Sequence, residues 1–465
     1  MGGRRSRGGR PRVFIHRILA MMMMMMMMMM MLAQAHPGKA QNVRLAAAPS
    51  LQHTRENGPA AQDRPDPISL TLTYGADVKA IVSGGHRTGA NYLGRLGIIA
   101  DADLDALLGW HGATAHISVH QIHGQGLSQH RVGNLLVVSG LEAEPALRLF
   151  NLWVQQRIGT GTTVRIGQFT AGQEFAISDT ASLFVNSTFG WPGSFATDLP
   201  SGGPAYPLAA PGIRIAVAPD ARTSLRLAIF AGDPAGPGEG DPQRRDRHGF
   251  HGLRFAGRPF IIGEVQRSSG GDRPGFTIRA GGWLHLDRFD DLRLDAVGRS
   301  LAATNPGAQG LQHRGNVGLY GIVDIALWHA PADPGRRIST FFRASFSPSD
   351  RNAIDLYADG GVAMSGPMQS RPNDVAGIGF AIARMSPALR SLARDYERLT
   401  GVRGARPDFE AAVEMSYRAQ LGSSLYVQPN VQYVIHPGGR RPSPLGVGPP
   451  TADALIIGFR TSANF

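Results

Sequence analysis

The chain has 465 residues, with 60 Gly, 32 Pro and no Cys, so a disulfide framework, a thiolate zinc site, an iron–sulfur cluster and a cysteine nucleophile are all excluded. Charged residues make up only 18% and mean hydropathy is −0.13, against about 25% charged in ordinary soluble domains; a bundle of membrane helices does not fit either, which leaves a β-rich chain with one polar and one apolar face. The formal charge of +12 falls by six, to +6, once Arg4, Arg5, Arg7, Arg10, Arg12 and Arg17 are set aside, and no basic block interleaved with aromatics points to nucleic acid.

Residues 1–17 are basic, 18–33 are apolar and include the run Met21 to Met31, and Ala33-Gln34-Ala35 follows. This is the order of a cleaved secretory signal peptide over residues 1–35. The apolar run is too short to span a bilayer as a helix, which takes about 20 residues. Residues 36–66 are polar and rich in Ala, Pro and Gln, and are expected to form a disordered leader. The rest, 67–465, reads as one domain.

Within that domain, alternation with period two recurs. Ile213, Ile215 and Val217 oppose Arg214; Leu225, Leu227 and Ile229 oppose Arg226; Phe276, Ile278, Ala280 and Leu284 oppose Thr277, Arg279, Trp283 and His285. Charges in mid-strand and strands of about 9–13 residues are the apolar-out, polar-in signature of a transmembrane antiparallel β-barrel. Sixteen candidate strands are expected: 70–83, 90–101, 113–123, 146–158, 162–169, 212–218, 223–231, 260–267, 276–286, 316–328, 338–347, 354–365, 375–385, 409–419, 424–435 and 453–465. One short helix is expected at 387–400, with Leu389, Leu392, Ala393, Tyr396 and Leu399 on one stripe. The last strand ends on Phe465, in phase with Leu455, Ile457 and Phe459, the C-terminal aromatic that outer-membrane assembly machinery reads.

Catalytic patterns are missing. There is no H-E-x-x-H, no G-x-S-x-G and no Walker A sequence. His116, His120, His123 and His130 cluster in sequence, but His116 and His120 lie about 13 Å apart on one strand face, so imidazoles lining a lumen are expected rather than a metal site. No enzyme activity and no cofactor are expected. The most informative stretch is 168–212, far longer than the other interstrand segments nearby. It carries Glu174, Asp179, Asn186 and Asp198 together with Phe169, Phe175, Phe184, Phe189, Trp191, Phe195 and Tyr206. A long loop in a barrel is either an external lid or an inward constriction. Aromatic rings with acids and amides suit a sugar, whose apolar face stacks and whose hydroxyls take hydrogen bonds; packing of the loop itself is the competing use for the same rings.

Several stretches then make a resemblance specific: GATAHISVHQIHGQGLS (112–128), VGNLLVVSGLEAEPALRLFNLWVQQ (132–156), SDTASLFVNSTFGWP (178–192), DLPSGGPAYPLAAPG (198–212), FAGDPAGPG (230–238), DRNAIDLYADGGV (350–362) and VQPNVQYVIHPGG (427–439). The chain resembles the carbohydrate-selective porins of the OprB type. The resemblance implies a 16-stranded outer-membrane barrel in a Gram-negative bacterium, embedded in lipid and lipopolysaccharide, through which small glucose-like sugars diffuse past a charged constriction. A general diffusion porin and a plugged adhesin barrel are the alternatives, and the subunit number is open between monomer and homotrimer. Residues 50–69 carry neither the Trp-Gly-Gly-x-Arg segment nor the short helix with which that family begins. The expected constriction residues are Arg165, Arg214 and Arg226 from neighbouring strands, opposed by Glu174 and Asp179, with Asn186, Trp191 and Asp198 from the same loop. Arg95, Asn151, Trp153 and Gln155 are further lumen candidates.

Overall fold

On many strands one row of side chains is exposed and the other buried, and on several the exposed row is apolar and the buried row carries the polar and charged side chains. On the sixth strand Arg214 is 5% exposed while its neighbours Ile213 and Ile215 are 41% and 44% exposed. A barrel in lipid has this inverted pattern, because hydrocarbon replaces water outside and every backbone group must pair around the wall.

The computed structural model describes residues 66–250, 257–269, 275–305, 307–331, 333–440 and 450–465; the expected export signal and nearly all of the leader lie outside them. The strands are β1 (Ile68–Gly85), β2 (Gly89–Asp103), β3 (Ala113–Gly124), β4 (Ala146–Ile158), β5 (Thr162–Phe169), β6 (Ala210–Asp220), β7 (Thr223–Phe230) and β8 (Phe260–Ser268). They continue as β9 (Phe276–Asp295), β10 (Gly310–Ala330), β11 (Asp333–Phe346), β12 (Ile354–Ser365), β13 (Val375–Met385), β14 (Phe409–Gln420), β15 (Leu425–Ile435) and β16 (Ala452–Asn464). Each pairs antiparallel with its sequence neighbours, and β16 returns to β1, closing the barrel. At that seam Phe465 and Leu72 exchange backbone hydrogen bonds of 2.9 and 3.2 Å. Inside it, Arg460 makes two 2.7 Å bonds to the carboxylate of Asp77.

The two ends differ. The connections after odd-numbered strands include the long ones, 125–145, 170–209, 231–259 and 386–408, while those after even-numbered strands are mostly short. Helix α1 (Leu104–Leu108) lies in one of the latter; α2 (Gly193–Asp198), α3 (Pro242–Arg245) and α4 (Pro387–Thr400) lie in the long connections.

One expectation needs correction. β9 and β10 run well beyond 276–286 and 316–328. Their mutual pairing continues to Asp295 opposite Gly310, although β8 leaves β9 at His285. The two strands form a polar ribbon above the wall, where no lipid enforces alternation, so the apolar pattern stops before the strands do. Helix α4 has the expected bounds; along its apolar stripe Leu389, Leu392 and Ala393 are half-buried, with Leu389 packed inward, while Tyr396 and Leu399 are exposed. The helix is also held through buried Asp395, which accepts hydrogen bonds of 2.8 Å from Arg293 and from Ser300. The Arg293 bond holds the Asp395 carboxyl below its usual range.

Candidate pore constriction

The connection 170–209 turns into the barrel and packs there. Phe169, Phe175 and Phe195 join Phe230, Phe260, Trp283 and Tyr320 of the wall in one buried cluster; Phe184 and Phe189 meet Phe341 in another. Most of the loop's rings therefore form its own core. The connection 125–145 fills a second sector, with Leu136 packed against Ile354, Tyr357 and Met385.

Wall carboxylates fasten both connections by their backbone N–H groups, which have no strand partner and must be satisfied. Glu410 accepts from Leu135 and Leu136. Glu414 accepts from Val185 at 2.7 Å and Asn186 at 2.8 Å. Asp324 takes the Ser178 hydroxyl and the Thr180 N–H. Mid-strand placement marks these acids as inward-facing in the sequence, but nothing in one dimension pairs them with a loop some 140–275 residues away.

Against this packed sector stands a charged one. Register brings Gln155, Arg165 and Arg214 side by side on β4, β5 and β6. Two arginines directly opposite repel, and the pairing needs an acid. Glu174, just past β5, supplies it: Oε1 accepts from Arg165 Nη1 and Oε2 from Arg214 Nε, both at 2.7 Å. Gln155 Oε1 accepts three further guanidinium N–H groups, two from Arg165 and one from Arg214, at 2.8 to 3.2 Å. The side chains of Arg165 and Glu174 remain 14% and 12% exposed, so this cluster meets the lumen.

A flat stack continues from it along the wall. The Arg165 guanidinium lies 3.7 Å from the Trp153 ring centroid, and His116 stacks on that indole at 4.8 Å with 5° between planes. Asp101, 44% exposed at its side chain, accepts from His116 Nδ1 at 2.7 Å. Arg165 and His116 thus both lie against the Trp153 ring, which also packs on the buried cluster around Phe169.

The remaining expected residues scatter. Arg226 does not join the ladder; it lies opposite Ala216, two residues from Arg214 along β6, bonds Glu264 at 3.2 Å and holds the Glu174 carbonyl at 3.1 Å. Asp179 opposes Arg279 at 3.6 Å rather than Arg165 or Arg214. Asn186 is buried between Leu136, Gln432 and Thr188, and Asp198 caps the Ala353 and Ile354 N–H groups. Trp191 donates to Gly202 and packs edge-on to Phe195. Asn151 bonds Gln173, and Arg95 lies over Tyr206 at 5.2 Å. Among the described residues Asp291, His313 and Asp350 bring ligand atoms within 4.8 Å of one another. Within that trio His313 hydrogen-bonds Asp291 at 2.9 Å, and Arg351 takes Asp350 with two bonds.

A closed sixteen-stranded barrel, apolar outside, with an inward loop and a charged lumen, defines the class of outer-membrane porins. The profile of the carbohydrate-selective porin, OprB family, matches residues 87–465. The chain belongs to that family of Gram-negative outer-membrane porins. It is 24% identical over 393 residues to Porin B of Pseudomonas aeruginosa, covering 79% of this chain and 83% of that protein. Its fold is similar to the high-pH structure of Pseudomonas putida OprB, with TM-score 0.76 and 21% identity over 86% of this chain and 94% of the other. The low-pH structure of the same protein matches with TM-score 0.51 and 15% identity, over 86% and 93%.

Proposed function

We propose that this porin passes small neutral sugars of glucose size by passive diffusion, and that Arg165, Glu174, Arg214 and Gln155, with Trp153, form its selective narrowing. The observation that carries this reading is the Arg165–Glu174–Arg214 bridge at the lumen surface. A guanidinium has five N–H donors; three of Arg165's are engaged by Glu174 and Gln155. The other two suit sugar hydroxyls. Glu174 offsets one of the two guanidinium charges, so the cluster presents a passing solute with fixed dipoles and a residual charge of about +1. A polyol exchanges water for these groups at small cost, whereas a cation meets the residual positive charge of the Arg165–Glu174–Arg214 cluster. Contacts of this kind are strong enough to admit and weak enough to release.

Asp179, Asn186, Trp191, Asp198 and Arg226 support this role by shaping the loop. Phe465 is read as the assembly signal, presented at the end of β16. In liposomes, the purified protein is expected to admit glucose faster than amino acids of similar size. Arg165→Ala and Glu174→Ala should each weaken sugar block of the ion current severalfold. Unchanged flux and block in both variants would remove the assignment.

A further inference from the structure

Glu174 closes the turn Ala171–Gln173, its N–H donating to the Ala171 carbonyl at 2.9 Å, and a second turn follows two residues on. Ala176 has φ +58°, in the left-handed region that a residue with a Cβ rarely adopts, so something outside the turn must hold it. The wall does so at both ends of the residue. The Ala176 N–H donates to Glu264 Oε2 at 2.9 Å, and its carbonyl accepts from Arg343 Nη1 at 2.5 Å. Arg343 also donates to the carbonyls of Thr188, at 2.7 Å, and Phe189, at 3.2 Å, on the returning limb of the same connection. It is oriented by Asp359 on the next strand through two bonds of 2.8 and 2.6 Å. Both side chains are wholly buried, so neither touches the lumen. A lysine in this place keeps the charge but lacks the planar fork that reaches two limbs and a carboxylate together.

We propose that Arg343, oriented by Asp359, is a positioning residue for solute selection: it locks the left-handed turn at Ala176 from which Glu174 reaches Arg165 and Arg214, and so sets the sugar preference of a narrowing it does not line. The inference rests on the assignment of that narrowing. A role in packing alone would lower stability and leave selectivity intact. A role through Glu174 couples the two sites.

The test is a double-mutant cycle on single-channel records in planar bilayers, with glucose titrated against the ion current. Arg343→Lys is expected to raise open-channel conductance and to raise the half-blocking glucose concentration about threefold to tenfold. In a Glu174→Ala background the same substitution should have no further effect on block. Adding Ala176→Gly to Arg343→Lys should recover part of the block, because glycine adopts this turn without a clamp. Asp359→Asn, nearly isosteric, runs the same cycle where the lysine variant does not assemble. Wild-type block in Arg343→Lys, or an effect that persists undiminished on top of Glu174→Ala, overturns the proposal while the narrowing stands. If Glu174→Ala alone leaves block unchanged, the assignment of the narrowing falls, and this inference with it.

Discussion

At the scale of single residues, the lumen shows how charge is tolerated in a wall. Arg165 and Arg214 are cross-strand neighbours with 14% and 6% side-chain exposure. Their repulsion is removed by one carboxylate that takes a bond from each. Removing a partner from a largely buried pair costs about 3–5 kcal/mol, because the charge left behind stays desolvated. Here two like charges are left facing each other. Glu174→Ala is therefore expected to lower the unfolding free energy by about 3 kcal/mol in urea titrations from lipid vesicles, and Glu174→Gln by clearly less, since the amide oxygen still accepts. Equal loss in the two variants would mean that the negative charge, not side-chain volume or a single acceptor oxygen, matters at this position.

Among elements, the inward connection is seated as well as hydrogen-bonded. On β13, a Cβ added at Gly379 would come within 2.9 Å of the Phe184 and Phe189 rings, and one at Gly377 within 2.6 Å of Leu183. These glycines hollow the wall so that the loop's apolar cluster fits against it. Gly379→Val should push the loop toward the lumen at an overpacking cost of about 1–3 kcal/mol. The expected readout is lower channel conductance, with barrel migration on unheated gels unchanged. Wild-type conductance would show that the loop does not rest on this strand. Helix α4 teaches a related lesson, since buried Asp395 fixes it while Tyr396 and Leu399 stay exposed. The apolar spacing of that segment marked a helix but not its docking.

For the whole molecule, the environment outside decides the rules. Ile213, Ile215, Leu225 and Leu227 would be misplaced on a soluble protein, yet they form the wall that lipid covers. An arginine on this face near the bilayer midplane costs about 2–4 kcal/mol. Ile215→Arg is expected to lower folding stability in phospholipid vesicles by that amount, although Arg214 beside it is native. A negligible change would place Ile215 away from hydrocarbon. The closing seam follows the same logic: the Asp77–Arg460 pair is internal, and Phe459 and Phe465 remain exposed on the other face.

The sequence by itself determined the barrel, its sixteen strands, the inward parity of Arg165 and Arg214, and the long connection within 168–212. Period-two alternation is local, and lipid enforces it along every strand that crosses the membrane. It failed at 287–295 and 310–315, where strands leave the lipid. Only the tertiary structure decided that Glu174, not Asp179, bridges the arginines, that Asn186 and Asp198 hold backbone, and that Arg343 reaches back to Ala176. These pairings depend on register around the closed wall and on the path of a loop folded inside it. Both are long-range properties, set by which buried N–H and carbonyl groups must find partners, and no spacing along the chain encodes them.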